Sequence, residues 1–435
     1  MQAMILTAGE GTRMRPLTLT RPKTMLPISG KPILQYNIES IRDAGIDEIF
    51  LVVGYKKNVI KKYFADGKEF GVKLSYLIQE KQLGTAHAIG KGKNVIDEEF
   101  IVVNGDVITD PNLIKEVINY YERNTPDTLL LLTKVKDPSS FGIVELEDDK
   151  VKNIIEKPKP EEAPSDLANA GIYIFNPIIF NYIEKTQKSP RGEYEITDSI
   201  MMEIKDGIDV RGFVSKKRWI DIGRPWELLN ANEEMMKNIK TKIEGEVEEN
   251  VHIKGPVVIG RGTIVRSGTY IQGPVYIGKN CDIGPNCYIR AYTCIYDGVS
   301  IGNAVEIKNS IIMENTNINH LSYVGDSIIG ANCNFGAGTN IANLKFNDKP
   351  VKMNVKGERV STSRRKLGAV FGDNVKTGIN SGFNPGVKIG MDSVIWPNAL
   401  IDEDVDSNKA VIVQQEKQIV DNFLKSDSSW SKKEK

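Results

Sequence analysis

Two hydrophobic rhythms run along this chain, and one gives way to the other near its middle. In the first half, apolar runs at residues 4–6, 49–53, 74–78, 100–103 and 128–135 alternate with helically spaced stretches at 33–44, 86–93 and 113–122. Short apolar runs read as strands and the i, i+3, i+4 spacing reads as helix. Their alternation predicts a mainly parallel sheet with helices on both faces. Ligands of such sheets bind beyond the carboxyl ends of the strands, so the polar residues just after each strand become the candidates for chemistry. From Pro225 the pattern is helical through Ile239, and a charged stretch, 240–249, ends the first domain. Beyond it Ile253, Ile259, Val265, Ile271, Ile277, Ile283, Ile289, Ile295, Ile301 and Ile307 fall on every sixth position. The register resumes, shifted, at Ile329, Phe335 and Ile341, then at Phe371, Phe383, Ile389, Ile395 and Ile401. A six-residue period predicts a parallel β-helix, each hexad one flat side with its aliphatic residue inward and glycines such as Gly260, Gly278, Gly284 and Gly302 near the turns. The expected organisation is therefore an α/β domain over 1–236, a linker over 237–250, a β-helix over 251–412, and a tail over 413–435 with a short helix at 414–424.

The 435 residues suffice for two or three domains with separate cores. Lys plus Arg and Asp plus Glu both number 57, so no net field recruits nucleic acid or an anionic membrane, and a small substrate is expected. No run reaches the apolar length of a membrane span, and Met1-Gln-Ala-Met-Ile enters a strand without the regions of a signal peptide, which reads as cytoplasmic. Cys281, Cys287, Cys294 and Cys333 lack Cys-x-x-Cys pairing and nearby histidines, so reduced core thiols are expected ahead of disulfides or zinc.

The first strand runs into Leu6-Thr-Ala-Gly-Glu-Gly-Thr-Arg-Met-Arg-Pro-Leu17, followed by Arg21-Pro-Lys-Thr-Met-Leu-Pro27. Ala8, Gly9 and Gly11 leave backbone N–H groups bare enough to wrap phosphate oxygens, and Arg13 and Lys23 supply cations. The loop lacks the Gly-Lys-Ser/Thr ending of a Walker motif and has Met14 where a dinucleotide fingerprint has its third glycine. After the third strand, Gln79 offers a donor and an acceptor to a base, Gly84 allows close approach, and Thr85 can cap the next helix. Asn104-Gly105-Asp106 and Trp219-Ile-Asp221 each end a strand in a carboxylate; taken singly each reads as a turn or cap, taken together they can share one Mg²⁺, which prefers carboxylate, water and phosphate oxygens. Glu156-Lys157-Pro158 and Asn169-Ala-Gly171 add polar residues suited to a sugar phosphate.

This set, with Gly142, resembles the sugar-1-phosphate nucleotidylyltransferases over residues 1–236. The resemblance implies attack by a sugar-1-phosphate oxygen on the α-phosphorus of a nucleoside triphosphate, with release of pyrophosphate. The nucleophile is already an anion, so catalysis is charge neutralisation and in-line positioning. By the same resemblance Leu6, Ala8, Gly9, Gly11, Thr12, Gln79, Gly84, Thr85 and Gly105 hold the nucleotide, and Arg13 and Lys23 hold the triphosphate and the developing charge. Asp106 and Asp221 hold Mg²⁺; Gly142, Glu156, Lys157 and Asn169 meet the sugar phosphate. Aspartate at 221 follows the thymidylyltransferase pattern, where bacterial bifunctional members carry Asn, and leaves UTP and dTTP both open.

In the second half, Asn319-His320-Leu-Ser-Tyr323-Val-Gly-Asp326 and Asn334-Phe-Gly-Ala-Gly-Thr339 precede an interruption rich in cations, from Lys345 to Lys366. A charge run is most often a solvated face. The chain has 3 histidines, and His320 lies in a polar stretch between hexads, where an imidazole can take a proton from an attacking amine. These motifs, followed by Asn343, closely resemble the acetyltransferase half of the bifunctional uridylyltransferase/acetyltransferase family that makes UDP-N-acetylglucosamine, in the form with a basic insertion found in archaeal-type members. What the resemblance implies is a left-handed β-helix, acetyl-CoA as donor, His320 as base, and sugar-phosphate contacts at Arg290, Lys308, Tyr323 and Asn334. Ala337 falls in the acetyl-CoA region, Asn343 near the acetyl group, and Lys349 and Lys352 within reach of phosphate. It also implies a homotrimer or a dimer of trimers.

The reading that follows is an enzyme acetylating glucosamine-1-phosphate in its β-helix and coupling the product to UTP in its α/β domain. One alternative is a monofunctional glucose- or mannose-1-phosphate nucleotidylyltransferase using dTTP, UTP or GTP, its β-helix serving assembly. The other is a non-enzymatic scaffold of the kind found in translation-factor exchange complexes, against which stand Arg13, Lys23, Asp106 and Asp221.

Overall fold

The computed structural model describes residues 1–420. The Gln2–Leu6 strand is third in a nine-stranded sheet, flanked in parallel by Glu48–Val53 and Phe100–Asn104. Lys73–Ile78 forms the parallel edge beyond Glu48–Val53. On the other side Leu167–Phe175 lies antiparallel to Phe100–Asn104, so the sheet is mixed. Helices Ile33–Asp43 and Leu113–Asn124 cover one face; Thr85–Ile89, Ile179–Lys185 and Ile196–Lys205 cover the other. The expected 86–93 helix is split, its α-helical turn ending at Ile89 and a 3₁₀ turn, Gly90–Gly92, completing it.

The second domain is a left-handed parallel β-helix of three long sheets, each coil contributing one strand to each. Its inward column, from Val257 through Ile401, is buried along the axis as one core. The charged stretch expected as a linker already belongs to it: Lys242–Ile243 and Glu246–Val247 pair in parallel with the next coil. Two-residue strands survive there because the coil beneath supplies every partner. The change of register has a geometric source. Ile253 pairs with Ile271, Ile271 with Ile289 and Ile289 with Ile307, a coil of 18 residues; Ile307 pairs with Val324 and Val324 with Ile341, a coil of 17. The missing residue is lost at the same corner each time, 308–310 and then 325–327. The next coil puts its long insertion, 342–369, at that corner too. Three successive corners are thus irregular and stacked.

The sheet following this corner is apolar on both faces. Cys294, Tyr296, Ile311, Met313, Ile328 and Val370 point outward yet are buried against Met14, Leu17, Leu26, Trp226 and Leu229 of the α/β domain. The basic insertion is not simply solvated. It forms an antiparallel hairpin, Lys352–Val355 with Glu358–Ser361, and Val351, Met353 and Leu367 enter the same cluster. Ion pairs fasten the seam: Arg21 with Glu314 (3.2 Å) and Asp373 (2.9 Å), and Arg364 with Glu233 (2.6 Å). All four cysteines are buried and free. Residues 414–420 are not helical, and the rest of the tail helix expected over 414–424 lies outside the described residues. No helix among the described residues is long and apolar enough to cross a membrane.

One buried carboxyl in the α/β domain makes stability depend on pH. Glu203 is fully buried; Thr128 donates to its Oε2 (2.8 Å), while Oε1 has no partner. Burial, with Asp127 adding to it, pushes its carboxyl up to about 7. The protonated form is favoured in the fold, so this contribution is complete below the ordinary carboxyl range and is lost as pH rises through 7. Glu203→Gln is expected to flatten that fall, worth up to roughly 3 kcal/mol. Denaturant midpoints of both proteins across that pH interval check this; parallel curves would contradict it.

Candidate active sites

The chain's first turn builds the first site. Leu6 ends its strand, and the Thr7 N–H donates to the Val52 carbonyl (2.9 Å), holding the loop over the neighbouring strand. Gly11 has φ +63°, and a Cβ there would lie 2.9 Å from the Lys23 Cβ, so only glycine lets Lys23 pass beneath. Arg13 lies in the middle of a short 3₁₀ turn, Thr12–Met14, and is exposed. Gly105 follows Asn104 at the carboxyl end of its strand, its N–H donating to the Leu6 carbonyl (3.0 Å). Leu6, Ala8, Gly9, Gly11, Lys23, Gln79, Gly84, Thr85 and Asp106 line one cavity of about 290 Å³.

Thr85 departs from expectation. Gly84, at φ +118°, is the N-cap, and the Thr85 hydroxyl instead accepts from the Ile196 N–H (2.9 Å), tying this turn to the Ile196–Lys205 helix. Gln79 is buried; its amide nitrogen donates to the Gly84 carbonyl (3.2 Å) and meets His87 Nδ1 (2.9 Å). Its Oε1 makes no hydrogen bond among the described residues, so it is the atom free to accept from a base. Thr12 stands just outside this lining, its carbonyl accepting from the Arg15 N–H.

A second cavity of about 170 Å³ adjoins the first through Thr85, Asn104 and Asp106 and is lined by Arg13, Gly142, Glu156, Lys157, Asn169, Trp219 and Asp221. Asn169 is fixed from both ends, donating to the Tyr173 hydroxyl (2.8 Å) and accepting from the Gly171 N–H (3.1 Å). Glu156 is pushed up by burial against the pull of Lys157 and Arg191. Trp219–Asp221 pairs antiparallel with Val107–Thr109, and the Ile222 N–H donates to the Asp106 carbonyl (3.1 Å), which sets the two aspartates side by side. Lys23 forms an ion pair with Asp106. Burial raises the Asp106 carboxyl, and the ammonium outweighs it and holds it below its ordinary range. Burial, and then the Asp106 charge, push Asp221 up to about 7.

Two crowded carboxylates with one ammonium between them fit a hard divalent cation, which would relieve the repulsion that raises Asp221. Among the described residues no third His, Cys, Asp or Glu joins them. That suits Mg²⁺, whose remaining positions go to water and phosphate oxygens.

In the β-helix the stacked corners gather a polar cluster around Asp326, which the sequence reading passed over. Its carboxylate is buried and accepts from Lys308 Nζ (3.2 Å), Asn309 Nδ2 (2.8 Å) and Asn343 Nδ2 (2.5 Å). Asn343 also donates to the Tyr323 hydroxyl (3.1 Å), and Arg290 pairs with Glu306 (2.7 Å) on the same sheet. Lys308, Tyr323, Asn343 and Arg290 therefore lie on one surface. An aspartate after Gly325 reads as a turn residue; the only signal of its role was that it falls in a shortened hexad. His320 is exposed at a strand end, its carbonyl accepting from the Gly338 N–H (3.2 Å), beside Ala337. Asn334 is exposed one coil on, across from Asn317. Lys349 and Lys352 are exposed on the insertion and do not join the Asp326 cluster.

The fold, with its cleft at the carboxyl ends of the strands, defines a nucleotidyl transferase joined to a hexapeptide-repeat β-helix. Family models agree: nucleotidyl transferase matches residues 2–238, a GMPPB C-terminal domain 271–382, and bacterial transferase hexapeptide (six repeats) 368–403. A bifunctional protein GlmU of Methanococcus maripaludis is 52% identical over 417 residues, covering 96% of this chain and 98% of that protein. A bifunctional sugar-1-phosphate nucleotidylyltransferase/acetyltransferase of Sulfurisphaera tokodaii is 43% identical over 412 residues, covering 93% and 98%. A solved putative glucose-1-phosphate thymidylyltransferase of Bacillus anthracis superposes with a TM-score of 0.51 at 29% identity, covering 55% of this chain and 97% of its own. The chain belongs to the bifunctional GlmU-type nucleotidylyltransferase/acetyltransferase family.

Proposed function

We propose that the chain acetylates glucosamine-1-phosphate with acetyl-CoA and couples N-acetylglucosamine-1-phosphate to UTP. The observation carrying this reading is that both polar constellations are present in one chain whose bifunctional relatives align over nearly its whole length. In the first site the backbone N–H groups from Ala8 to Gly11 cradle the triphosphate, and Gln79 Oε1 accepts from the base. Lys157 and Asn169 orient the sugar phosphate, whose oxygen attacks the α-phosphorus in line as pyrophosphate leaves. Arg13 and Lys23 neutralise the charge that develops. Asp106 and Asp221 would hold Mg²⁺, which when bound supplies further neutralisation of the phosphates.

In the second site Arg290, Lys308, Tyr323 and Asn334 bind the amino-sugar phosphate and His320 takes the proton as the amine attacks the thioester carbonyl, releasing CoA. Ala337 lies along the acetyl-CoA path, with Lys349 and Lys352 contributing charge toward phosphate. Asp326 orients Asn343 and Lys308. The exposure of His320 and Asn334 on one chain supports completion of this site by a second copy, in keeping with a homotrimer. Pyrophosphate and CoA release, measured together across UTP, dTTP and GTP against glucose-, mannose-, glucosamine- and N-acetylglucosamine-1-phosphate, test the reading. Both signals are expected; pyrophosphate without CoA for any amino sugar would reduce the β-helix to a scaffold.

A further inference from the structure

We propose that the cavity at the seam between the two domains binds a nucleoside diphosphate and that its occupancy biases the segment carrying Lys23. The cavity measures about 660 Å³, in the range of small-molecule sites, and lies at a domain junction where such sites concentrate. Its walls come from both domains. Lys62 and Tyr63 stand on the Lys57–Phe64 helix, and Tyr276 and Lys279 on a coil of the β-helix.

The charges present point to the ligand. Arg21 is spent on Glu314 and Asp373, and Lys31 on Glu39. The Asp297 carboxylate accepts from the Lys279 backbone N–H (2.8 Å) but has no ion-pair partner among the described residues, so one negative charge stays in the wall. That leaves the ammonium groups of Lys62 and Lys279, exposed on opposite walls, with no carboxylate partner among the described residues. Two unpaired lysines, one from each domain, outnumber the one unpaired carboxylate, which suits a diphosphate. Tyr63 is 45% exposed with Phe70 stacked on one side of its ring, and Tyr276 is half-buried against Gly30 and Tyr296, so a base would stack on the side each leaves uncovered.

One short segment connects this cavity to the chemistry. Thr20, Arg21, Met25 and Pro27 line the seam, whereas Lys23 and Thr24, between them, line the nucleotide cavity. Thr20 and Arg21 are also fastened to Asp373 of the β-helix at 2.7 and 2.9 Å. A ligand drawing the two walls together shifts the stretch whose other side presents Lys23 to Asp106. The coupling rests on the role proposed for Lys23; the binding does not.

The test is calorimetric titration of the full chain with ADP, in the wild type and in a K62A/K279A double variant. Neither lysine touches the catalytic cavities, and both are exposed. The double variant is expected to lose one class of ADP site, with affinity there falling tenfold or more. Pyrophosphate release at saturating substrates is expected to respond to ADP in the wild type and not in the variant. Identical isotherms would overturn the site, and a site taking inorganic phosphate as tightly as ADP would overturn the stacking of the base. An altered isotherm with an unchanged response of pyrophosphate release would overturn the coupling. A wild type releasing no pyrophosphate with any substrate would count against the proposed function and leave the isotherms to judge the site.

Discussion

Lys23→Ala is expected to lower pyrophosphate release about 10²–10³-fold, the usual cost of removing one preorganised group that meets developing charge. CoA release should be unchanged. Lys23 is mostly buried, at 14% exposure, lines the first cavity and pairs with Asp106, so its ammonium is held in place at the position proposed for the triphosphate. Removing it strips the cleft of its one enclosed cation, Arg13 being exposed. It also leaves Asp106 and Asp221 facing each other uncompensated, which raises the first carboxyl as the second is already raised. The loss should therefore appear in kcat and survive saturation with both substrates. A folded variant that releases pyrophosphate at the wild-type rate would remove Lys23 from the site.

The reciprocal result is expected of His320→Ala: acetyl transfer falling about 10²–10⁴-fold, as for loss of a general base, with pyrophosphate release intact. His320 is exposed at the end of Asn317–His320 and buries nothing, so the substitution carries little structural cost. It ends a strand of a different β-helix sheet from the one that packs on the α/β domain. A general base lost in this way leaves a slow reaction that recovers as pH rises and more of the amine is free. Equal loss of both activities in a folded variant would contradict the separation of roles.

Residue patterns disclosed the two domains because each has a period that its geometry imposes. The inward aliphatics at every sixth position had to be buried along an axis, and Ile259, Ile277 and Ile295 are fully buried there. The turn after the first strand was legible because Gly11 makes room for Lys23 and Lys23 pairs with Asp106, in a fixed order along the chain. What was illegible depends on contacts between distant residues. Asp326 reads as a turn until three corners stack and bring Lys308, Asn309 and Asn343 onto it. Thr85 has a capping residue's identity, yet its hydroxyl is taken by the Ile196 N–H from more than a hundred residues away. The basic insertion read as a charge run because its apolar members, Val351, Met353 and Leu367, are scattered; only the facing α/β domain makes them one surface. The first coil hid in a charged stretch because strands of two residues have no period of their own.

The most direct measurement of two activities on one chain is a single reaction of the purified protein with glucosamine-1-phosphate, acetyl-CoA, UTP and Mg²⁺, followed by mass spectrometry of the nucleotide sugars. The predicted result is UDP-N-acetylglucosamine, with CoA and pyrophosphate released in equal amounts and neither product formed when acetyl-CoA is withheld. Pyrophosphate formed at the same rate without acetyl-CoA, and an unacetylated nucleotide sugar as the sole product with it, would contradict the account.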